Sequence, residues 1–285
     1  MKCYLCKSQN IRFYLIKDGF NYYKCLNCNL IQQIPLPKVN IIKKIYDNND
    51  AYFVKEEKEI NLDLSKTSKE EFFYSIMEPY LKDTNIKILD VGAATGLMLA
   101  YLKLNNFSNL EGVEISKWAC EVAKKRFNIN LKNTDIYNAD YPPNSFDFVI
   151  SNHVIEHLRD PFYNFQKINQ FLKMGGLLFI STPNASCLNS RLVRRYWKFF
   201  SPNEHIFLFD NNSIKFFLNK LGFEVIELKN WLFNTRNLFI YFIQLIYPIL
   251  IDILRKVWGK KTPLDNFMTS KDGIILIAKK IKDVN

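Results

Sequence analysis

Residues 86–103 read IKILDVGAATGLMLAYLK: an apolar run closed by an acid, a turn with two glycines, then an apolar helical stretch. The spacing predicts a buried strand ending at Asp90 and a helix starting near Leu97. Gly92 and Gly96 let the backbone come close to a ligand at the carboxyl end of that strand. Their G-x-x-x-G spacing is neither the G-x-G-x-x-G of dinucleotide binders nor the G-x-x-x-x-G-K-[ST] of nucleotide triphosphatases. No lysine follows Gly96, so the loop suits an uncharged nucleoside better than a pyrophosphate. The next apolar run, LEGVEIS, carries Glu114, 22 residues after Gly92. An acid in that place can accept both ribose hydroxyl hydrogens.

Apolar strands continue to alternate with amphipathic stretches: SFDFVISN, GGLLFISTP, FEVIEL and GIILIAKK. That alternation predicts an α/β protein, a mostly parallel sheet covered by helices on both faces. The 285 residues can bury a full core, and 48% hydrophobic with 24% charged residues excludes a disordered chain. The net charge of +11 fits an acidic partner such as nucleic acid, anionic lipid or a phosphorylated substrate, or simply a lysine-rich solvated surface.

Residues 1–37 precede this pattern as a unit of their own. Cys3-x-x-Cys6 and Cys25-x-x-Cys28 flank an aromatic-rich segment that reads as a hairpin. Each C-x-x-C turn can present two thiolates to one tetrahedral ion, so the expectation is a zinc ribbon. Four cysteine ligands leave no open position, which makes that zinc structural. Cys120 and Cys187 stand alone in apolar settings and are expected to pack. Residues 38–82 read as a charged, helix-leaning connector or lid, and 83–285 as the main domain with an insertion at 232–271. No secretory leader pattern opens the sequence, and the expected compartment is the reducing cytoplasm. The apolar stretch 237–258 is interrupted by Pro248 and Asp252. It falls short of a spanning helix and is a candidate for peripheral contact at the inner face of the membrane.

These motifs together resemble the class I S-adenosylmethionine-dependent methyltransferases. The matching residues are Asp90 to Gly96, Glu114, SFDFVISNHVIEHLRDP, GGLLFISTPN and LGFEVIEL. The resemblance implies a Rossmann-like sheet of seven strands whose last two form a reversed edge hairpin. It implies S-adenosylmethionine bound by Asp90, Gly92, Ala93, Gly96, Glu114, Ile115, Asp135, Asn152 and His153. Ala94 departs from the glycine frequent at its place.

The string His153-Val154-Ile155-Glu156-His157 also matches a zinc-peptidase signature, H-x-x-E-H. Pro161 leaves too short a helix for a peptidase, and a third ligand is lacking. The expected placement of His153 and His157 is i and i+4 on one helical turn. Ubiquinone-pathway O-methyltransferases carry E-x-x-E-H here, which implies a divalent metal; His153 replaces the first glutamate of that pattern. Glu156 can instead make a local salt bridge. His157 and His205 are the candidate bases for an acceptor hydroxyl. Arg191, Arg194, Arg195 and Lys198 lie between the GGLLFISTP run and His205 and suit an anionic acceptor. Zinc-ribbon methyltransferases of this size resemble those of bacterial surface-polysaccharide and sugar modification, which implies a glycan or activated-sugar acceptor. Nucleic acid fits less well, because Asn152-His153-Val154-Ile155 replaces the N/D-P-P-aromatic string of amino-methylating enzymes.

Overall fold

The computed structural model describes residues 1–37, 68–192, 194–202, 204–231 and 272–284. The insertion at 232–271, including the apolar stretch 237–258, and most of the connector lie outside these residues. Among the described residues no helix is long and apolar enough to cross a membrane.

A seven-stranded mixed sheet forms the centre. Its strands are β4 (Ile88–Val91), β5 (Leu110–Glu114), β6 (Lys132–Asn133), β7 (Phe146–Asn152), β8 (Leu172–Pro183), β10 (Phe223–Trp231) and β11 (Gly273–Lys280). The spatial order is β10-β11-β8-β7-β4-β5-β6, with β4, β5, β6, β7 and β8 pairing in parallel. β11 is antiparallel to both neighbours, and its pairing with β10 closes at Trp231 opposite Gly273, where the insertion departs. Six of these strands are the runs expected from the sequence. β6 is two residues long and carries no apolar signal of its own.

Strand side chains alternate between two apolar layers. Phe148, Ile150, Phe179, Ile275 and Ile277 pack with Phe73 and Met77 of α1 (Ser68–Met77) and with Leu99 and Leu102 of α2 (Leu97–Leu104). Val149, Leu178, Ile180, Ile274 and Leu276 pack on the other face with α4 (Pro161–Phe171) and α6 (Asn211–Lys220). α3 (Lys117–Phe127) follows β5 and is capped by the Ser116 hydroxyl. α1 therefore belongs to the helical layer of the sheet, packed through Phe73 against Phe179.

One inward charge was not foreseen. Lys280 is wholly buried, yet its Nζ donates to the carbonyls of Asn169 (2.7 Å) and Leu172 (2.8 Å) and to Asn144 Oδ1 (3.1 Å), and sits 2.7 Å from Asp283. The ammonium thus joins β11 to the end of α4 with all its donors used. Lys280→Met keeps the stem but strands two buried carbonyls. Urea unfolding should show a loss of roughly 2–4 kcal/mol. An unchanged midpoint would mean that water replaces the ammonium.

The amino-terminal unit is a second sheet, and it is not confined to residues 1–37. β1 (Ile11–Lys17), β2 (Phe20–Cys25) and β3 (Ile31–Gln33) are antiparallel, and β3 continues onto β9 (Phe207–Leu208) from the far side of the main sheet. Between β8 and β9 runs a segment that includes a short α-helix, α5 (Leu188–Leu192), and a 3-10 turn at Arg194–Tyr196. Its Trp197 and Phe200 pack with Leu15, Tyr22 and Ile31 of the amino-terminal sheet. On the other side Cys3, Cys25 and Cys28 pack within the main core beside Ile206 and Phe207.

Candidate active site

The site is assembled where β4, β5, β7 and β8 end side by side. After β4 the chain turns through Gly92 (φ +70°) and Ala94 (φ +48°) to Gly96 (φ +78°), which opens α2. The departure at Ala94 is therefore one residue with a Cβ held in the left-handed region, at a cost of roughly 1–2 kcal/mol. A Cβ on Gly92 would lie 2.7 Å from Val154 Cγ2, so the turns after β4 and β7 nearly touch. Gly96 has a different neighbour. A Cβ there would meet Ala123 of α3 at 2.9 Å, so this glycine lets α3 pack closely on the start of α2.

Glu114 closes β5 with 6% of its surface exposed. Its two carboxylate oxygens accept from the Ala94 amide (2.9 Å) and the Ser116 amide (2.8 Å), which fixes its rotamer between two loops. A carboxylate has about four acceptor sites, so capacity remains for ligand hydroxyls. Asp90 is almost fully buried, and burial, then the nearby Glu114, pushes its carboxyl up to about 8. Ile115 leaves an apolar surface 41% exposed beside this pair. Asp135 is exposed and accepts from the Asn138 amide and side chain, capping its own turn. Asn152 accepts from the Ser181 hydroxyl through Oδ1, tying β7 to β8. Asp90 and Glu114 thus stand at the ends of β4 and β5, Asp135 follows β6, and the turn between Asp90 and Leu97 contains no lysine or arginine. The residues fit a nucleoside that bears positive charge and no phosphate.

The H-x-x-E-H string is not helical, which corrects the expected i, i+4 placement. His153 sits at φ +56° with its amide donating to Ser181 O (3.0 Å), and the chain then turns so that the His157 amide donates to Val154 O. The helix begins only at Pro161, capped by the Asp160 side chain. Asp followed by Pro is an N-cap and first-turn pair, and that signal was present in the sequence.

The chain has three histidines in all, and each meets Glu156. Glu156 is fully buried, with Oε1 2.9 Å from His153 Nδ1 and 4.0 Å from His157 Nε2, and Oε2 3.0 Å from the Thr182 hydroxyl. Burial alone would raise its carboxyl, but the His153 hydrogen bond and the three imidazoles hold it at about 2. His157 packs edge-on to His205 with ring centres 4.7 Å apart. Burial, with His205 beside it, draws His157 down to about 3, and burial lowers His205 as well. His205 Nδ1 donates to Phe199 O (2.8 Å), and His157 Nδ1 is buried with no partner among the described residues. One carboxylate oxygen of Glu156 and one ring nitrogen each of His157 and His205 lie within 4.8 Å of one another.

The amino-terminal sheet holds this cluster from behind. The Tyr22 hydroxyl donates to His205 O (3.3 Å), the Gln33 amide to Ile206 O (3.0 Å), and the Ile206 amide to Glu156 O (2.8 Å). Cys3 and Cys28 sulfurs stand 3.5 Å apart, as do those of Cys6 and Cys25, and all four lie within 4.8 Å of one another. A tetrahedral ion with bonds of ~2.3 Å would place sulfurs roughly 3.8 Å apart, so the four thiols fit zinc. Of the basic residues after β8, Arg194 lies over the Tyr14 ring (5.6 Å), Arg195 donates to the Tyr196 hydroxyl, and Lys198 lies over Phe199 (4.7 Å). Arg191 is exposed on α5. Sequence reasoning missed Thr182, Tyr22 and Phe199, because each acts through a contact between segments far apart in the chain.

Comparison with known proteins points the same way. Residues 68–228 match the family model described as a methyltransferase domain. The malonyl-[acyl-carrier protein] O-methyltransferase of Paenibacillus sp. (strain JDR-2) is 29% identical over 136 residues, 44% of this chain and 49% of that protein. The ubiquinone biosynthesis O-methyltransferase of Pelagibacter ubique is 30% identical over 105 residues, 35% of this chain and 43% of that protein. The chain thus spans about half the length of the curated relatives it matches. Among solved structures, a SAM-dependent methyltransferase from Archaeoglobus fulgidus superposes with a TM-score of 0.52 at 21% identity, covering 81% of this chain and all of the other. One from Methanosarcina mazei gives 0.54 at 16%, covering 73% and 98%. The family match takes in more than half of the chain and contains the glycine turn, Glu114 and the histidine cluster, so this chain belongs to the class I S-adenosylmethionine-dependent methyltransferases.

Proposed function

We propose that the protein transfers a methyl group from S-adenosylmethionine to an oxygen of a sugar, a nucleotide sugar or a phosphorylated glycan precursor. The observation that carries the cofactor assignment is the meeting of Asp90 and Glu114 at the ends of β4 and β5, beside a glycine turn without a cation. When bound, S-adenosylmethionine would supply a sulfonium methyl that an acceptor lone pair can attack, with the sulfur leaving as a neutral thioether. Gly92, Ala93 and Gly96 give the turn its shape, and Glu114 would accept the ribose hydroxyls. Ile115 and Asp135 would meet the base, and Asn152 and His153 would line the side nearest the acceptor. Most of the rate should come from holding the two reactants in line.

Support for an oxygen acceptor comes from the relatives, since both of those named above carry O-methyltransferase in their names. Support for an anionic one comes from Lys198, whose ammonium lies over Phe199, the ring that in turn stacks beside His153. The amino-terminal sheet, with zinc on its four cysteines, would serve as the rigid backing of that acceptor side.

Glu114→Ala should weaken S-adenosylmethionine binding about 10- to 100-fold, the scale of losing hydrogen bonds to a charged group. Glu114→Gln, which keeps one acceptor oxygen, should fall between. Equal affinity for all three proteins would remove Glu114 from the site. For the acceptor, transfer of labelled methyl from S-adenosylmethionine to nucleotide sugars, cell-surface glycan fractions and RNA should label a sugar fraction. Label in RNA alone would overturn the sugar assignment.

A further inference from the structure

We infer that His153, paired with Glu156, is the general base that takes the acceptor's proton, a role the sequence had offered to His157 or His205. The inference rests on the methyltransferase reading above and deepens it. Three features of the turn after β7 support it.

The first is the hydrogen bond. An ionised carboxylate only accepts, so at the 2.9 Å contact to Glu156 Oε1 the donor is His153 Nδ1. In the neutral ring Nε2 then carries the lone pair, and it has no partner among the described residues. A buried carboxylate that fixes an imidazole tautomer and stabilises the imidazolium formed is the arrangement a histidine base needs. Glu156 is itself fixed by Thr182 and by its backbone carbonyl, which accepts from Ile206.

The second is access. The His153 side chain is 28% exposed against 11% for His157, and His205 is buried, with its Nδ1 already committed to Phe199 O. His157 and His205 pack against each other, while His153 is the most exposed of the three, with its ring parallel to Phe199 (14°, centres 6.3 Å apart). The third is backbone strain. A histidine at φ +56° is costly, and here the left-handed residue lies directly at the end of β7, next to the Val154 that touches the Gly92 turn.

In the step that follows, the acceptor O–H bond breaks and its proton passes to His153 Nε2. The oxygen's electron pair forms the new bond to the methyl carbon as that carbon's bond to sulfur breaks. The bonding pair leaves with sulfur as a neutral thioether, and the imidazolium, held beside the Glu156 carboxylate, returns its proton to solvent.

His153→Asn is the informative variant, because asparagine tolerates the left-handed backbone and cannot take the proton. With the acceptor found by labelled transfer, kcat should fall about 10²- to 10⁴-fold, a loss larger than any change in S-adenosylmethionine affinity measured on the same variant. Nitrogen NMR of the histidine-labelled full chain reports on the cluster without any acceptor, since all three rings lie in it. The signal lost in His153→Asn should show a protonated Nδ1 and an unprotonated Nε2 in the wild type, and Glu156→Gln should shift that ring toward the other tautomer. Wild-type turnover in His153→Asn, or a proton on Nε2 of His153 in the wild-type chain, overturns the inference. A wild-type chain that binds no S-adenosylmethionine would instead defeat the methyltransferase reading, and the tautomer would still decide whether the pair is built as described.

Discussion

Gly92→Val should abolish S-adenosylmethionine binding, with affinity reduced beyond the roughly 100-fold that separates micromolar from undetectable in calorimetry. Two independent effects add at this position. Gly92 is at φ +70°, where a β-branched residue is a severe outlier. Its Cβ would also meet Val154 Cγ2 at 2.7 Å, a short branched side chain with little freedom to swing away. Either the turn after β4 or the turn after β7 must move, and both line the crevice. Gly92→Ala adds the same Cβ without the branch and should bind more weakly than wild type but measurably. Thermal melts of both variants separate a lost site from a lost fold. Wild-type affinity in Gly92→Val would place the ligand elsewhere.

Cys25→Ser should have the largest effect on stability. Elemental analysis of the wild-type protein should give one zinc per chain, and the variant should lose it. A structural zinc site supplies folding free energy directly, so the melting temperature should drop by about 10 °C or more. The damage should not stay in the amino-terminal unit, because β3 pairs with β9 and Tyr22 holds the His205 carbonyl. The histidine ring signals should therefore shift along with the loss of metal. A metal-free wild type, together with an unchanged melt in Cys25→Ser, would contradict a zinc role for these thiols.

Much of the fold was legible because its strands are buried on both faces and so read as largely apolar runs: ILDV, FDFVISN and GIILIAKK could be little else. The acid at Glu114 and the turn at Gly92 were legible for the same reason, each following such a run at a fixed distance. What escaped depends on contacts between distant residues. Nothing local marks Ile31–Gln33 and Phe207–Leu208 as partners, since each is too short to carry a period. Gly96 was read as a ligand approach, and its tightest neighbour is Ala123, a packing role that a lone glycine cannot reveal. The histidine turn was misread as a helix because i, i+4 spacing is a helical pattern, whereas Asp160-Pro161 marks the helix start downstream. With His153 in the left-handed region, the order of exposure among the histidines is set by the backbone and not by their spacing.

Titration calorimetry of the full chain with S-adenosylmethionine, S-adenosylhomocysteine and NAD tests the central claim most directly. The carboxylates of Asp90 and Glu114, a glycine turn with no cation and the family match predict micromolar binding of the first two at one site per chain, and none of NAD. Binding of NAD without S-adenosylmethionine would contradict the account.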